Sequence, residues 1–322
     1  MKSQILGESE LEITSIGIGT WAIGGPWQFG WSHQDDSESI GAIHRALDEG
    51  INWIDTAPAY GLGHAEEVVA RALRESSHRP LVFTKCGIVW NDARKPSNTL
   101  EPVSVTREVE DSLRRLDVET LDLCQIHWPI PDAQIEGACE ALEQLRLAGK
   151  IRYVGVSNFS VEQMERARSM TQVTSLQPPY SLVQPEIGAA ELPYCLENGI
   201  GVINYSPMGS GLLSGTMTRE RVAALPDDDW RKSSPKFKEP KLTRGLDIAK
   251  ALQAVADQHL CTVAEAAIAW TLKHPAITAA IVGLRRPEQV QGVIRAAEIE
   301  LTEPEMESLS DLAYSASPPS PT

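Results

Sequence analysis

The chain is short of positive charge. Its 29 Lys and Arg face 44 Asp and Glu, a formal net charge of −15 at pH 7. That balance argues against a nucleic-acid or anionic-membrane partner. It leaves room for an anionic small ligand at a local basic cluster, and the strong candidate in the sequence is Arg285-Arg286. Long apolar runs are lacking too: no uninterrupted stretch reaches the ~20 residues of a bilayer-spanning helix. Met1-Lys2-Ser3-Gln4 leads into a polar segment without the apolar core of a signal peptide. A cytoplasmic protein with no membrane association is the expectation. Cysteine is sparse and odd in number: Cys86, Cys124, Cys139, Cys195 and Cys261. No pair has C-x-x-C spacing, so neither a disulfide framework nor a metal site is indicated. They read as reduced, buried small hydrophobes. No Gly/Pro/Ser-rich linker divides the chain, which favours one domain over two.

What the chain does have is a set of polar residues at the ends of short apolar runs. Asp55 follows Asn52-Trp53-Ile54 and opens D-T-A-P-A-Y-G, which brings Tyr60 with it. Lys85 ends Leu81-Val82-Phe83-Thr84, and His127 ends the run Leu121 to Ile126. If those runs are parallel strands, the four side chains gather at one end of a sheet or barrel. In barrels of alternating strands and helices, the C-terminal end is where catalysis sits.

Alternation of that kind runs nearly throughout. Ile13 to Ile18 reads as a strand ending in Gly19-Thr20. A helix follows with Ile40, Ile43 and Leu47 on one face and Gly50 as its stop. Later helices carry Val69 and Leu73; Val105, Val109, Leu113 and Leu116; and Ala138, Leu142 and Leu145, the last closed near Gly149. Arg152 to Val156, Val173 to Leu176, Gly201 to Asn204 and Ala279 to Val282 supply the remaining strands. Ser160-x-x-Gln163, Thr262-x-x-Glu265 and Thr302-x-x-Glu305 have the form of capping boxes. Roughly eight strand–helix units fit a single (β/α)8 barrel of ~250 residues plus additions. The expected domain is 1–314, with an extra C-terminal helix and a Ser/Pro-rich disordered tail over 315–322. Thr216 to Arg244 breaks the pattern, and both a lid over a ligand and a plain surface insertion fit it.

The tetrad suits proton transfer. A free tyrosine titrates near ~10. A neighbouring Lys ammonium lowers that value, and an Asp paired with the Lys keeps it charged. The His can hydrogen-bond a carbonyl oxygen. The set fits carbonyl reduction, with hydride arriving at carbon while Tyr60 supplies the proton to oxygen.

The strings G-I-G-T-W (17–21), D-T-A-P-A-Y-G (55–61), F-T-K (83–85), Q-I-H-W-P (125–129), G-V-S-N-F-S (155–160), N-Y-S-P-M-G-S-G-L-L-S-G (204–215) and V-G-L-R-R-P-E-Q (282–289) fall in order along the chain. Together they resemble the aldo-keto reductase superfamily over almost its whole length. Pro235 to Pro240 and Gln177 to Tyr180 look like its bacterial general-stress and inositol-cluster branch, which is related to potassium-channel beta subunits. The resemblance implies that Tyr60 is the general acid, that Lys85 and Asp55 tune it, and that His127 orients the carbonyl. It implies an extended NADPH across the barrel mouth. Ser157, Asn158 and Gln177 would hold the carboxamide, and Tyr205 would stack on the nicotinamide. Ser206, Pro207, Met208, Gly209, Ser210 and Gly211 would line the pyrophosphate. Gly19, Thr20, Trp21, Asp55 and Gly283 would complete the cofactor contacts. Arg285, with Arg286 as fallback, would meet the 2′-phosphate, and Gln289 would lie near the adenine. Val293 stands where many members have Asn.

Trp21, Trp90 and Trp128 follow strand ends and are expected to rim the substrate pocket, whereas Trp53 and Trp270 sit in core patterns. The implied activity is NADPH-dependent reduction of a small-molecule aldehyde or ketone. A polyol or sugar dehydrogenase running in the oxidative direction and a cofactor-binding regulatory subunit are the alternatives. Specificity is expected in Trp27 to Gln34, Trp90 to Asn98 and the segment before the tail. The sequence does not specify the substrate or the oligomeric state.

Overall fold

The computed structural model describes residues 1–27, 30–31 and 33–315. The expected tail beyond Ser315, and Gln28, Phe29 and Ser32 of the expected specificity loop, lie outside the described residues.

Eight parallel strands close into a barrel in chain order: β1 (Ile16–Gly19), β2 (Trp53–Asp55), β3 (Leu81–Cys86), β4 (Leu121–Ile126), β5 (Ile151–Ser157), β6 (Val173–Gln177), β7 (Gly201–Tyr205) and β8 (Ile277–Gly283). β8 pairs back onto β1, placing Gly283 beside Gly19. The outer helices are α1 (Asp36–Asp48), α2 (His64–Arg74), α3 (Pro102–Leu116), α4 (Ile135–Leu147), α5 (Val161–Arg168), α6 (Glu191–Glu197), α7 (Lys241–His259), α8 (Val263–Leu272) and a C-terminal α9 (Glu303–Tyr314). Their apolar stripes face the strands: Ile40, Ile43, Leu47, Val69, Val105, Val109, Ala138, Leu142 and Leu145 are all buried. The boxes at Ser160 and Thr262 close in both directions, and Thr302 donates its N–H to the Glu305 carboxylate at 2.7 Å. Each satisfies N–H groups that a helix start leaves free.

Strand residues point alternately in and out. The inward set of the lower barrel is Trp53, Phe83, Leu123, Ile203 and Ala279, packed in one cluster. Gly17 belongs here because a Cβ on it would lie 2.1 Å from the Trp53 indole. One register step of two higher, the same strands present Asp55, Lys85, Gln125, Gly155, Ser175 and Tyr205. The pairings Lys85–Gln125, Gln125–Gly155 and Gly155–Ser175 set that upper level.

The N-terminus differs from the expectation. Instead of one strand from Ile13 to Ile18, Glu12–Thr14 pairs antiparallel with Ser3–Ile5, and the barrel strand starts after Ser15. Leu6, Leu11 and Ile13 are at most 1% exposed and join the interior cluster. The hairpin therefore plugs the N-terminal end of the barrel, and Trp53 Nε1 donates to Thr14 O at 2.9 Å to tie it there. A barrel open at its base would leave that apolar layer wet, at a cost of about 25 cal/mol per Å².

The segment Thr216 to Arg244 breaks the barrel's alternation, as expected. It holds a short helix (Arg219–Ala223) and two single 3₁₀ turns (Trp230–Lys232 and Pro235–Phe237) before α7 begins. Leu212, Met217, Phe237 and Leu242 form its own apolar cluster. Little periodicity was visible because the elements are too short to show one.

Candidate active site

The upper inward positions bring the tetrad together. Lys85 Nζ donates to Asp55 Oδ1 at 2.7 Å and to Thr56 O at 3.0 Å. The ammonium lies 5.0 Å from the centre of the Tyr60 ring. The Tyr60 and His127 rings meet edge to face at 5.8 Å. The Asp55 and Lys85 side chains are 3% and 0% exposed, whereas Tyr60 and His127 are only half-buried. The ion pair is sealed beneath the floor of the site, and the two groups suited to meeting a ligand face the mouth.

The electrostatics depart from the expectation in one respect. Burial pushes the Tyr60 phenol well above its ordinary value, and the Asp55 charge adds to the push. These two effects outweigh the pull of the Lys85 ammonium, which is itself paired with Asp55. The result keeps Tyr60 protonated at neutral pH, which is the form that can donate. Burial, then the Lys85 charge, hold His127 well below its usual range, so the ring is neutral. Burial draws Lys85 down while Asp55, by charge and hydrogen bond, holds it up.

The second Asp55 oxygen accepts from Gln177 Nε2 at 2.7 Å. Gln177 thus braces the carboxylate across the barrel. Ser157 Oγ donates to Gln177 O at 2.8 Å, Asn158 Nδ2 to His127 O and to Ser157 Oγ at 3.0 Å each, and Tyr205 OH to Asn158 Oδ1 at 2.9 Å. Residues from β5, β6 and β7 therefore form one polar strip beside the tetrad. Thr20, fully buried, donates both its N–H and its hydroxyl to Asp55 O at 3.0 Å. This fixes the start of the turn that carries Trp21.

Past β7, Ser206, Gly209, Ser210 and Gly211 all have positive φ, from 55° to 92°. A run of such residues bends the backbone into a concavity of the kind that receives anions. Gly209, Gly211 and Gly283 add no side chains, and a Cβ on Gly283 would meet nothing within 4 Å. Pro207 is buried and Met208 half-buried in the same turn. Arg285 is half-buried; its Nε donates to Gln34 Oε1 at 2.6 Å and its Nη2 to His33 O at 3.1 Å. Arg286 is exposed and pairs with Glu38 at 3.1 Å. Gln289 Oε1 accepts from the N–H groups of Arg285 and Arg286 at 2.7 and 3.0 Å, so it shapes that loop. Val293 is 5% exposed and belongs to the core.

Trp128 is 39% exposed at the mouth. Trp90, half-buried, lies in an antiparallel ribbon (Ile88–Trp90 with Pro96–Asn98) following β3. Trp21 packs on Trp31 and Trp230, while Trp53 and Trp270 are buried as expected.

Sequence reasoning missed three things. The first is Arg231: a Cβ on Gly211 would sit 3.6 Å from its guanidinium, which puts a cation beside the strip. Its partner Asp229 is 3% exposed and bonds it at 2.6 Å. The second is Trp31, which carries Arg231 over its ring at 4.4 Å. The third is Glu66, fully buried behind β3, where it accepts from Thr84 Oγ1 at 2.7 Å and Arg115 Nε at 2.6 Å. Asp229-x-Arg231 spacing was a usable signal; nothing local marks the others.

Comparison with known proteins agrees with this geometry. The chain is 38% identical over 298 residues to aldo-keto reductase YhdN of Bacillus subtilis (strain 168), covering 91% of this chain and 88% of that protein. It is 32% identical over 330 residues to the NADH-specific methylglyoxal reductase of Escherichia coli (strain K12), covering 97% and 98%. Among solved structures, glycerol dehydrogenase AKR11B4 from Gluconobacter oxydans superposes with a TM-score of 0.90 at 38% identity, over 99% of this chain and 98% of that one. The holo form of aldo-keto reductase AKR11C1 from Bacillus halodurans gives 0.81 at 25%, over 99% of each. Residues 15–313 match the Aldo/keto reductase family, and with the closed barrel and the four polar side chains at its C-terminal mouth, the chain belongs to that family.

Proposed function

We propose that this oxidoreductase reduces small aldehydes, and ketones of similar size, to alcohols with NADPH, with Tyr60 as the proton donor. The observation that carries the reading is the division of the tetrad: a sealed Lys85–Asp55 pair below, and a protonated Tyr60 beside a neutral His127 open to the mouth. A bound nicotinamide supplies the hydride. The protein's part is to hold the carbonyl oxygen between the Tyr60 hydroxyl and the His127 ring and to pass one proton from Tyr60 to that oxygen as negative charge develops on it. Lys85 then faces the developing tyrosinate from 5.0 Å and stabilises it.

The residues present fit the cofactor. Asn158, Ser157 and Gln177 offer amide and hydroxyl groups for a carboxamide, with Tyr205 as the stacking ring. The side-chain-poor strip from Ser206 to Gly211, with Arg231 beside it, suits a pyrophosphate. Arg285 favours a 2′-phosphate, because a guanidinium has donors left after its bonds to Gln34 and His33. One relative is NADH-specific, so the wild-type affinities for NADPH and NADH decide the preference. The likeness to a glycerol dehydrogenase supports a second reading, in which the same groups run in reverse on a small polyol and Tyr60 acts as base.

Tyr60→Phe tests the proposal, since it keeps the ring and removes the proton. Carbonyl reduction is expected to fall by ~10²-fold or more, the scale of general acid catalysis, with cofactor affinity nearly unchanged. Turnover like that of the wild type would sink the mechanism.

A further inference from the structure

We infer that Trp230, which lies in the connection between the pyrophosphate strip and α7, sets the size limit of the substrate pocket by fixing Trp21 as its wall. The inference rests on reading the tetrad as a carbonyl-reducing site. Trp21 starts directly after Thr20, whose two hydrogen bonds to Asp55 O pin the backbone there. This fixes the backbone that carries Trp21 next to the strand of Asp55, and leaves the direction of the indole to the groups packed on it. Among the described residues, Trp230 and Trp31 pack on it from different sides. Trp230 packs on it with ring centres 5.1 Å apart and planes tilted by 32°. Trp31 meets it edge-on at 5.5 Å and 82°, and Trp31 and Trp230 meet each other at 5.9 Å and 77°. Three indoles in mutual contact leave each little freedom to rotate, and their mixed face and edge packing is the arrangement aromatic quadrupoles favour.

Trp230 is itself anchored from below. Phe237 meets it edge-on at 6.3 Å and is 3% exposed within the cluster of Leu212, Met217 and Leu242. Leu212 directly follows the strip. The Trp230 N–H donates to Gly30 O at 3.4 Å, and Asp229 bridges to Trp31. Arg231 closes the circuit, bonded to Asp229 and lying over Trp31. The connection that runs past the cofactor cleft is thus the same body that braces the substrate wall. Residues nearly 200 positions apart in sequence become one aromatic unit, and by the inference that unit narrows the barrel mouth. The fitting substrate class is compact carbonyl compounds, with broad flat substituents excluded.

The test compares kcat/KM for propanal and for 2-naphthaldehyde at saturating cofactor, in wild type, Trp230→Ala, Trp230→Phe, Trp21→Ala and the double variant Trp21→Ala/Trp230→Ala. Trp230→Ala frees Trp21 to swing away. The naphthaldehyde-to-propanal ratio is expected to rise roughly tenfold or more, the range over which small changes in an apolar pocket discriminate, chiefly through a lower KM for the bulky aldehyde. Trp230→Phe keeps a ring in place and is expected to stay within about twofold of the wild-type ratio. If Trp230 acts through Trp21, the double variant matches Trp21→Ala. A ratio unmoved in Trp230→Ala, or equal losses on both aldehydes there, overturns the role of Trp230 while leaving the reductase reading intact. A double variant whose ratio exceeds that of Trp21→Ala overturns the route through Trp21. A wild type that reduces neither aldehyde overturns the reductase reading, and this inference with it. Should Trp230→Ala fail to fold, Trp230→Leu keeps apolar bulk without the ring and is held to the same rise.

Discussion

Asp55→Asn exposes what the sealed ion pair does. In the wild type the Lys85 ammonium is 0% exposed and 2.7 Å from the Asp55 carboxylate. At an effective dielectric of ~20, two charges at that separation attract by about 6 kcal/mol, a gross figure offset by the desolvation of both. Removing one member of such a pair strands the other, and typically costs about 3–5 kcal/mol. A chain of this length has an unfolding entropy near ~2.1 cal/mol/K per residue, so each kcal/mol moves Tm by about 1.5 °C. Asp55→Asn is therefore expected to lower Tm by about 5–7 °C. The deficit has a sign in pH. Without Asp55, burial pulls the folded-state Lys85 pKa further below its unfolded value of ~10.4. The folded state then binds fewer protons than the unfolded one, and stability rises with pH toward that unfolded value. The loss is expected to be larger at pH 7 than at pH 9.5. The double variant Asp55→Asn/Lys85→Met removes both charges and is expected to recover more than half of the lost Tm, while carbonyl reduction stays lost. Calorimetry at the two pH values, with turnover measured alongside, decides it. A thermally silent Asp55→Asn, or a double variant less stable than either single one, would refute the reasoning.

Further outcomes follow from the same geometry. Arg285→Ala is expected to weaken NADPH by roughly 1.5–3 kcal/mol and NADH much less; equal losses, or a wild type that prefers NADH, would contradict the assignment. Because Tyr60 is held above and His127 below their ordinary values, kcat/KM for reduction is expected to be flat from about pH 7 to 9.5. An inflection near 7 would mean that His127 titrates in that range and would contradict a ring held neutral by burial. Adding NADPH is expected to slow hydrogen exchange strongly across Thr216 to Arg244, since Arg231 and the Trp230 turn adjoin the strip, and slow opening of this segment would limit cofactor release. Unchanged exchange there, with protection of Ser206 to Gly211 alone, would show that the cofactor is held without it.

The sequence determined the barrel and the tetrad because both follow from short-range periodicity. Strands alternate with helices whose apolar stripes repeat at helical spacing, and Asp55, Lys85 and His127 each end a run whose alternate residues face inward. That is why Trp53 and Asp55, or Phe83 and Lys85, share one face of the barrel without any knowledge of their partners. The capping boxes at Ser160 and Thr262 were legible for the same reason: donor and acceptor lie three residues apart. Tertiary structure decided whatever depends on what the far side of the molecule brings. Gln177 meets Asp55 across 122 positions, and Arg285 meets Gln34 across 251. The hairpin at Leu6 to Ile13 became a plug only because a closed barrel has a base to fill. The sign of the Tyr60 shift was likewise hidden, because the burial and the Asp55 charge that set it exist only in the folded site. Arg231, Trp31 and Trp230 carry no periodic signal; they meet over Trp21 because two loops from distant parts of the chain converge on one end of the barrel.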